Sequence, residues 1–207
     1  MIRSLQNTAQ VTSIDDIDIT NLWTLREKEK LLAEKKGIKL TLLPYVVKAV
    51  VESLKKHPYL NASLYEDEIV LKKYYNLGIA VDSGDGLLVP VIKGADKKDL
   101  LTIAKELQEL AEKSKNKKLD LMDMKGGSFT ITNYGSISGT YGTPIINPGE
   151  SAILGLGRAF DRVVLINEKL ENRKILPISL TFDHQIIDGA EAARFLQSLK
   201  EALEKAN

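Results

Sequence analysis

The chain has 207 residues, of which 43% are hydrophobic and 28% charged, and 29 Lys and Arg nearly balance 28 Asp and Glu. This length allows one domain or a small pair of domains with a sizeable core. A formal net charge of +1 argues against a protein that binds nucleic acid or an anionic membrane through a net basic field. The sequence contains no cysteine, which excludes a disulfide scaffold, a Cys-ligated metal site and a covalent thioester on the chain itself.

Apolar stretches in the sequence are too short to span a bilayer. The richest one, residues 40–51, is interrupted by Thr41, Pro44 and Lys48. The first eleven residues lack the features of a secretory signal and of a transit peptide. We therefore expect a cytoplasmic protein that has no membrane partner and no nucleic-acid partner.

The first half of the sequence predicts a strand, two helices and a group of short strands. Thr20 and Thr41 are candidate N-caps for the two helices, and Pro44 is tolerated in the first turn of the second. Ser83-Gly84-Asp85-Gly86 separates short apolar runs and indicates a hairpin. The predicted elements are a strand at residues 11–19, helices at residues 21–36 and 41–56, and several strands between residues 68 and 92.

The second half of the sequence mixes helices and strands without strict alternation. Asp96 precedes a helix whose leucines and isoleucine recur at three- and four-residue steps, and Asn167-Glu168-Lys169 forms a tight turn between two strands. The predicted strands are residues 128–133, 152–156, 162–167 and 173–182, and a closing helix runs from about 188 to 204 with Ala192, Phe195, Leu196 and Leu199 on one face. These elements predict a single α+β domain, residues 1–207, in which a mixed β-sheet is flanked by helices.

The two histidines are the first candidates for a general base, because histidine titrates near neutral pH without special tuning. His57 stands between a helix end and Pro58, and we interpret it as a helix-terminal residue. His184 lies between an apolar strand and the closing helix, where active-site groups are often carried on a rigid support. The residues alone leave a second interpretation of His184 open, namely a core histidine between Asp183, which ends the strand, and Asp188, which caps the helix.

The segment around His184 is similar to a known signature. Asp183-His184 followed by Asp188-Gly189 resembles the motif of the dihydrolipoamide acyltransferases, the core components of the 2-oxoacid dehydrogenase complexes, and chloramphenicol acetyltransferases carry a related motif. The resemblance continues in order along nearly the whole chain. The other matching segments are Gly37-Ile38-Lys39-Leu40-Thr41, Leu60-Asn61-Ala62-Ser63, Asn76-Leu77-Gly78-Ile79-Ala80, Gly86-Leu87-Leu88-Val89-Pro90-Val91-Ile92, Gly126-Gly127-Ser128-Phe129-Thr130-Ile131-Thr132-Asn133 and Ile146-Asn147-Pro148.

The resemblance implies a chloramphenicol acetyltransferase-like fold and acyl exchange between dihydrolipoamide and coenzyme A. His184 is then the base that makes the thiolate, which an ordinary thiol forms only to a few per cent at pH 7. Thr132 takes the place of the family's oxyanion donor, 52 residues before His184. Asp188 holds the local loop. The resemblance implies coenzyme A as a substrate, a lipoyl group supplied by a separate domain, no metal, and direct transfer in a ternary complex.

The resemblance also implies partners. Family members form homotrimers with each active site between two subunits, and trimers join into larger shells. Their complexes contain lipoyl domains, a decarboxylase and dihydrolipoamide dehydrogenase. We expect this chain to be the catalytic core domain, without a lipoyl domain or a peripheral-subunit-binding domain. It departs from the family at Gln185, where an arginine is common, and it stops before the apolar tail of many relatives, which puts the shell in doubt.

Acyl specificity is predicted from one loop. Gly135-Ser136-Ile137 with Gly139-Thr140-Tyr141 resembles branched-chain acyltransferases more than acetyl or succinyl ones. Two alternatives stay open at this point: acetyl transfer to a small-molecule hydroxyl, as in the antibiotic-modifying relatives, and a non-catalytic assembly scaffold. The presence of His184, Thr132 and Asp188 argues against a scaffold, which needs none of these side chains.

Overall fold

A computed structural model describes residues 1–84 and 86–205, so Asp85 of the predicted hairpin turn and the last two residues of the chain lie outside the described residues. The strands are, in chain order, β1 (Gln10–Asp18), β2 (Ala62–Tyr65), β3 (Glu68–Leu71), β4 (Leu77–Asp82), β5 (Leu87–Leu88), β6 (Val91–Ile92), β7 (Phe129–Asn133), β8 (Ala152–Leu156), β9 (Phe160–Ile166) and β10 (Lys169–Asp183). The α-helices are α1 (Ile2–Asn7), α2 (Thr20–Glu34), α3 (Leu43–Lys56), α4 (Leu100–Lys115) and α5 (Gly189–Glu204).

An eight-stranded mixed sheet forms the centre of the described structure. Its strand order is β1-β10-β8-β7-β4-β5, while β6 also pairs with β4 and β9 with β10. Strands β4, β7 and β8 run parallel to one another, and the other pairs in this sheet are antiparallel. Strands β2 and β3 form a separate hairpin. The predicted α+β domain with a mixed sheet is therefore confirmed.

Strand β10 is longer than its apolar sequence predicts. Residues 175–183 are all buried, as expected for a strand held between two neighbours. Residues 169–172 precede the predicted strand, which began at residue 173; they are largely exposed and mostly polar, so their pattern gives no strand signal, yet they pair with β9 across the predicted turn. Asn167 and Glu168 in that turn have left-handed φ angles of 48° and 63°, which suit a two-residue hairpin connection.

The helices cover the sheet and bury their apolar faces in one large core. Helices α3 and α5 pack against each other, and α3 also packs on α4. The predicted apolar face of α5 is buried as expected. The main core includes Val46, Val50, Leu54, Phe129, Leu154, Leu180, Phe182, Phe195 and Leu199. Burial of these side chains is the main source of stability for the layered arrangement.

Two predicted helix caps are wrong, and α4 begins later than the position of Asp96 indicates. Thr20 is the first residue of α2, and its hydroxyl instead donates to Asp18 and accepts the N–H of Lys174. Thr41 lies before the N-terminus of α3, which has no side-chain cap. The cap of α4 is Asp99, whose carboxylate accepts the N–H of Thr102 at 2.8 Å, while Asp96 belongs to a separate 3₁₀ turn. Sequence does not distinguish these sites, because several polar residues near each helix start could serve as caps.

His57 joins the end of α3 to α5. It is a buried residue in which Nδ1 lies 2.9 Å from the Glu191 carboxylate and Nε2 lies 2.8 Å from the Ser198 hydroxyl. Its ring also meets the Phe195 ring edge-on at 6.1 Å between centroids. The prediction of a helix-terminal role for His57 is confirmed, and the contacts add a link between two helices.

We predict that His57→Ala lowers the free energy of unfolding by about 2 to 3 kcal/mol, because it removes buried packing and leaves two polar partners unpaired. Ser198→Ala removes only one hydrogen bond and is the matched control, with an expected loss of about 1 kcal/mol. Urea unfolding at one fixed chain concentration measures both. Equal stability of His57→Ala and the unmodified chain would contradict the proposed link.

Candidate active site

The turn that carries His184 is held from two sides. The buried carboxylate of Asp183 accepts the backbone N–H groups of Ala9 at 3.0 Å and Gln185 at 3.1 Å. The backbone N–H of His184 donates to the carbonyl of Ala9 at 2.8 Å. Ile187 is buried and its N–H donates to the carbonyl of Asp183. The backbone at His184 is thus fixed by hydrogen bonds on both sides.

The side chain of His184 is exposed at the end of this turn. Its ring lies 5.9 Å from the Phe182 ring, and its imidazole makes no hydrogen bond to any of the described residues. The interpretation of His184 as a core histidine is therefore wrong. An imidazole on a rigid turn with both nitrogens free is suited to accept a proton from a bound molecule.

Asp188 and Gln185 stabilise the same turn. Asp188 caps α5, since its carboxylate accepts the N–H of Glu191 at 2.7 Å, and no bond joins it to His184 within the described part of the chain. The side-chain amide of Gln185 donates to both oxygens of Asp183 and to the carbonyl of Asn7. Gln185 therefore holds the Asp183 carboxylate by neutral hydrogen bonds instead of the salt bridge that an arginine could make.

Thr132 lies on β7 and lines a cavity of about 340 Å³. Its hydroxyl has no hydrogen-bond partner among the residues that the structure describes. Side chains of several elements complete the wall. The lining comprises Met1, Ala80, Leu87, Val89, Thr130, Thr132, Tyr134, Gly142, Thr143, Pro144, Ile145, Asn147 and Ile153. A free hydroxyl in a largely apolar wall can donate to an oxygen of a bound molecule.

Thr130 lines the same cavity but its hydroxyl is already engaged. It donates to the Glu150 carboxylate at 2.6 Å. Glu150 is 6% exposed, and its other oxygen accepts the side-chain N–H of Asn147 at 3.1 Å. Burial raises the pKa of Glu150 to about 7, although these two hydrogen bonds and the charge of Lys72 act to lower it.

Two glycines, one in β8 and one directly after it, allow close packing beside the cavity. A Cβ at Gly155 would lie 2.7 Å from the Tyr134 ring, and one at Gly157 would lie 1.9 Å from the carbonyl oxygen of Thr140. The Tyr134 hydroxyl is bonded to Ser179 at 2.9 Å. The glycines therefore serve strand-end packing. Gly155-Leu156-Gly157 also lacks the third glycine of the motif that binds dinucleotides.

Strand register places Thr132 and His184 far apart within one chain. Thr132 pairs with Gly155, Gly155 pairs with Ser179, and His184 lies five residues beyond Ser179. Two strand spacings across the sheet and five residues along it separate the two Cα atoms by roughly 19 Å. Threonine and histidine side chains cannot bridge that distance, and His184 is not part of the cavity wall.

The described residues offer no cluster of three or more metal-ligating side chains. No helix in the described part of the chain is both long and apolar enough to cross a membrane.

Comparison with known proteins identifies the class. Residues 1–207 match the model of the 2-oxoacid dehydrogenases acyltransferase (catalytic domain) family. The chain is 45% identical over 205 residues to the dihydrolipoyllysine-residue acetyltransferase component of the pyruvate dehydrogenase complex of Bacillus subtilis, covering 98% of this chain and 46% of that protein. It thus spans about half the length of the relatives it matches. The chain belongs to the 2-oxoacid dehydrogenase acyltransferase family, as a catalytic domain.

Solved structures agree with this membership. The dihydrolipoamide acetyltransferase of Azotobacter vinelandii superposes with a TM-score of 0.95 and 46% identity, covering 99% of this chain and 85% of that one. The cubic core of a pyruvate dehydrogenase multienzyme complex gives a TM-score of 0.95 at 45% identity, with coverage of 99% and 85%. A chloramphenicol acetyltransferase gives 0.60 at 15% identity over 95% of this chain and 89% of that chain, which supports the predicted fold alone. The predictions of family and fold are confirmed.

Glu150 is the site residue that sequence analysis missed. Glutamate is rarely buried, and Pro148-Gly149 before it indicates an exposed turn. Its position two residues before the apolar strand β8 gives no sign that its own side chain is buried. Its bond to Thr130, 20 residues away, depends on the tertiary fold.

We predict that the unmodified chain loses stability relative to Glu150→Gln as the pH rises from about 5 to about 8. The pKa of Glu150 is about 7 in the folded chain against an ordinary value of 4.5. Between these values the folded chain binds a proton that the unfolded chain does not, so stability is lost as the pH rises, by an amount on the order of 3 kcal/mol.

Urea unfolding across this pH range at constant chain concentration measures the difference. Glu68→Gln, an exposed carboxylate on β3, is the matched control and should parallel the unmodified chain. Parallel pH profiles for Glu150→Gln and the unmodified chain would show that Glu150 titrates normally.

Proposed function

We propose that this chain catalyses acyl transfer between dihydrolipoamide and coenzyme A, with His184 as base and Thr132 as oxyanion donor. The observation that carries the proposal is the pair of unengaged groups on rigid supports: an exposed imidazole at the end of β10 and a free hydroxyl in the cavity wall. Family membership supplies the reaction class.

His184 would remove the proton from the attacking thiol. The thiolate attacks the carbonyl carbon of the thioester, forming a new carbon–sulfur bond and a tetrahedral oxyanion. Collapse of the oxyanion breaks the original carbon–sulfur bond, and the departing thiolate takes the proton back from His184. One imidazole thus serves as base and acid, and direct transfer needs no covalent intermediate on the chain.

Thr132 would donate its hydroxyl hydrogen to the oxyanion as negative charge develops. A donor without a competing partner loses no existing hydrogen bond when the oxyanion forms, which favours the transition state over the ground state. Asp188 acts indirectly, by capping α5 and so holding the turn that carries His184.

The separation of about 19 Å within one chain supports a site shared between two copies, with His184 from one and Thr132 from the next. A homotrimer closes such head-to-tail contacts around an axis. The exposed apolar residues Val163, Leu165 and Leu170 on the β9–β10 hairpin are consistent with further burial in an assembly.

A study of the Azotobacter vinelandii acetyltransferase supports the residue assignments. It concerned the role of a serine, a histidine and an asparagine in the catalytic mechanism, with the serine 52 residues before the histidine and the asparagine four residues after it. The same offsets from His184 lead to Thr132 and Asp188 in this chain. Threonine retains the hydroxyl of serine, and aspartate, like asparagine, can cap a helix.

The proposal extends to the partners of the whole protein. The relative from Bacillus subtilis is a component of a pyruvate dehydrogenase complex, and a similar chain forms a cubic core. We propose that this chain works in a 2-oxoacid dehydrogenase complex whose lipoyl domain, decarboxylase and dihydrolipoamide dehydrogenase act with it, and that its trimers join into a shell. Its cytoplasmic location stays a prediction from the sequence.

Acyl specificity is proposed from the relatives. The branched-chain preference predicted from the loop at residues 135–141 has no support from the relatives reported above, which are acetyltransferases. We propose acetyl as the preferred group, and the branched-chain donors provide the direct comparison.

The proposal is tested by transfer from acetyl-, isobutyryl-, isovaleryl- and succinyl-CoA to free dihydrolipoamide. We expect the highest kcat/KM with acetyl-CoA and no measurable transfer by His184→Ala. We expect Thr132→Ala to reduce kcat by roughly two to three orders of magnitude with little change in KM, as loss of an oxyanion donor does.

His57→Ala is the matched histidine control, because His57 is engaged with α5 and should leave kcat within a few fold. Near-normal transfer by His184→Ala would remove it as the base, and a pure KM effect would make Thr132 a binding residue. If none of the four donors transfers its acyl group to dihydrolipoamide but acetyl-CoA acetylates a hydroxyl acceptor, small-molecule acetyl transfer is favoured. Inactivity of an intact oligomer with both acceptors would favour a scaffold.

A further inference from the structure

Glu150 stands behind the cavity wall and touches two residues that form it. Its carboxylate oxygens accept hydrogen bonds from Thr130 on β7 and from Asn147 in the loop before β8. Both partners line the cavity, whereas Glu150 does not. A single buried carboxylate therefore links a strand and a loop of the cavity wall from outside the cavity.

The loop that carries Glu150 is anchored beside it. The carbonyl of Gly149 accepts hydrogen bonds from the Ser63 hydroxyl at 2.6 Å and from the Lys72 ammonium at 2.8 Å. The backbone N–H of Glu150 donates to the carbonyl of Asn147 at 3.1 Å. These contacts leave the Glu150 carboxylate little freedom to move away from Thr130.

The absence of a side chain at Gly127 leaves room for the Glu150 carboxylate. A Cβ at Gly127 would lie 3.0 Å from a Glu150 carboxylate oxygen, so a larger residue there would crowd the carboxylate. Among the described residues, Lys72 is the charged group that acts on Glu150. Burial lowers the pKa of Lys72, and the Glu150 carboxylate opposes that effect.

The charge of Glu150 decides where the Thr130 hydroxyl hydrogen points. A hydroxyl has one hydrogen to donate, and an ionised carboxylate can only accept. Ionised Glu150 therefore keeps the Thr130 hydrogen away from the cavity. A neutral side chain at this position can donate to the Thr130 oxygen instead, which releases the Thr130 hydrogen to donate into the cavity.

Thr130 and Thr132 lie two residues apart on one strand, and both line the cavity. Two hydroxyl donors on one wall would allow an oxygen of a bound molecule to settle at either of two positions. Only one of these positions has the geometry that the reaction needs.

We propose that Glu150 is a positioning residue that holds Thr130 and Asn147 in the cavity wall and keeps the Thr130 hydroxyl hydrogen directed at its own carboxylate, so that Thr132 is the residue of β7 that donates into the cavity. This inference deepens the proposed acyl transfer and rests on it for its kinetic tests. It assigns no contact between Glu150 and substrate.

The kinetic test compares kcat/KM of Glu150→Gln with that of the unmodified chain from pH 6 to pH 8. Dividing one kcat/KM by the other at each pH cancels every pH effect that the two proteins share. We expect a ratio near one at pH 6, where both side chains at position 150 are mostly neutral, and a loss of about tenfold at pH 8. Glu68→Gln is the control and should keep a ratio near one throughout.

A double-mutant cycle identifies Thr130 as the group through which Glu150 acts. In the Thr130→Val background there is no hydroxyl to redirect, so Glu150→Gln should have no further effect at pH 8. Thr130→Ser keeps the hydroxyl and should preserve the full effect. Additive effects of Thr130→Val and Glu150→Gln would overturn the proposal, as would a ratio that does not change with pH.

A spectroscopic test does not depend on activity. In chain labelled with ¹³C at threonine methyl groups, the Thr130 signal, assigned with Thr130→Val, should titrate with a midpoint near pH 7 and stay constant in Glu150→Gln. A Thr130 signal that is insensitive to Glu150→Gln would overturn the link. If no acyl group is transferred from any donor, the proposed function fails. The titration of the Thr130 signal still decides whether Glu150 controls the orientation of the Thr130 hydroxyl.

Discussion

The pairing of β10 with β8 is the constraint on which the candidate site depends. Residues 175–183 of β10 are buried between β1 and β8, so the register of this strand cannot slip without exposing apolar side chains. That register fixes His184 at one end of the sheet and Thr132 two strands away. The chemistry of the site must therefore be explained with both groups at these positions.

The His184 imidazole and the Thr132 hydroxyl each lack a partner among the described residues and are separated by about 19 Å, which supports the proposal that a second copy completes the site. The supports around them are consistent with this arrangement. His184 is held by backbone bonds that leave its imidazole free, and the neighbouring Asp188 stabilises the helix that follows. On the other side, Glu150 engages Thr130 and leaves the Thr132 hydroxyl available. A carboxylate thus supports each group: Asp188 caps the helix after His184, and buried Glu150 engages Thr130 beside Thr132.

The sequence predicts the elements whose signal is local and misses features that depend on distant contacts. Strand β8 matches its predicted bounds because all five residues are apolar and buried. The polar end of β10 was missed because its pairing with β9 does not need an apolar pattern. Motif resemblance identified His184, Thr132 and Asp188, but only strand register gives the distance between the first two. Glu150 carried no signal, since its burial arises from the meeting of a loop with β7.

The most direct test of a site shared between copies is complementation between two variants that each lack one of the two groups. His184→Ala and Thr132→Ala chains, unfolded together in equal amounts and refolded, should recover about one quarter of the unmodified activity, because random assembly gives that share of interfaces with both groups intact. The same chains refolded separately and then mixed on ice serve as the control. Recovery near one quarter is the result that the account predicts. No recovery from an oligomer of normal size would show that both groups must come from one chain and would contradict the account.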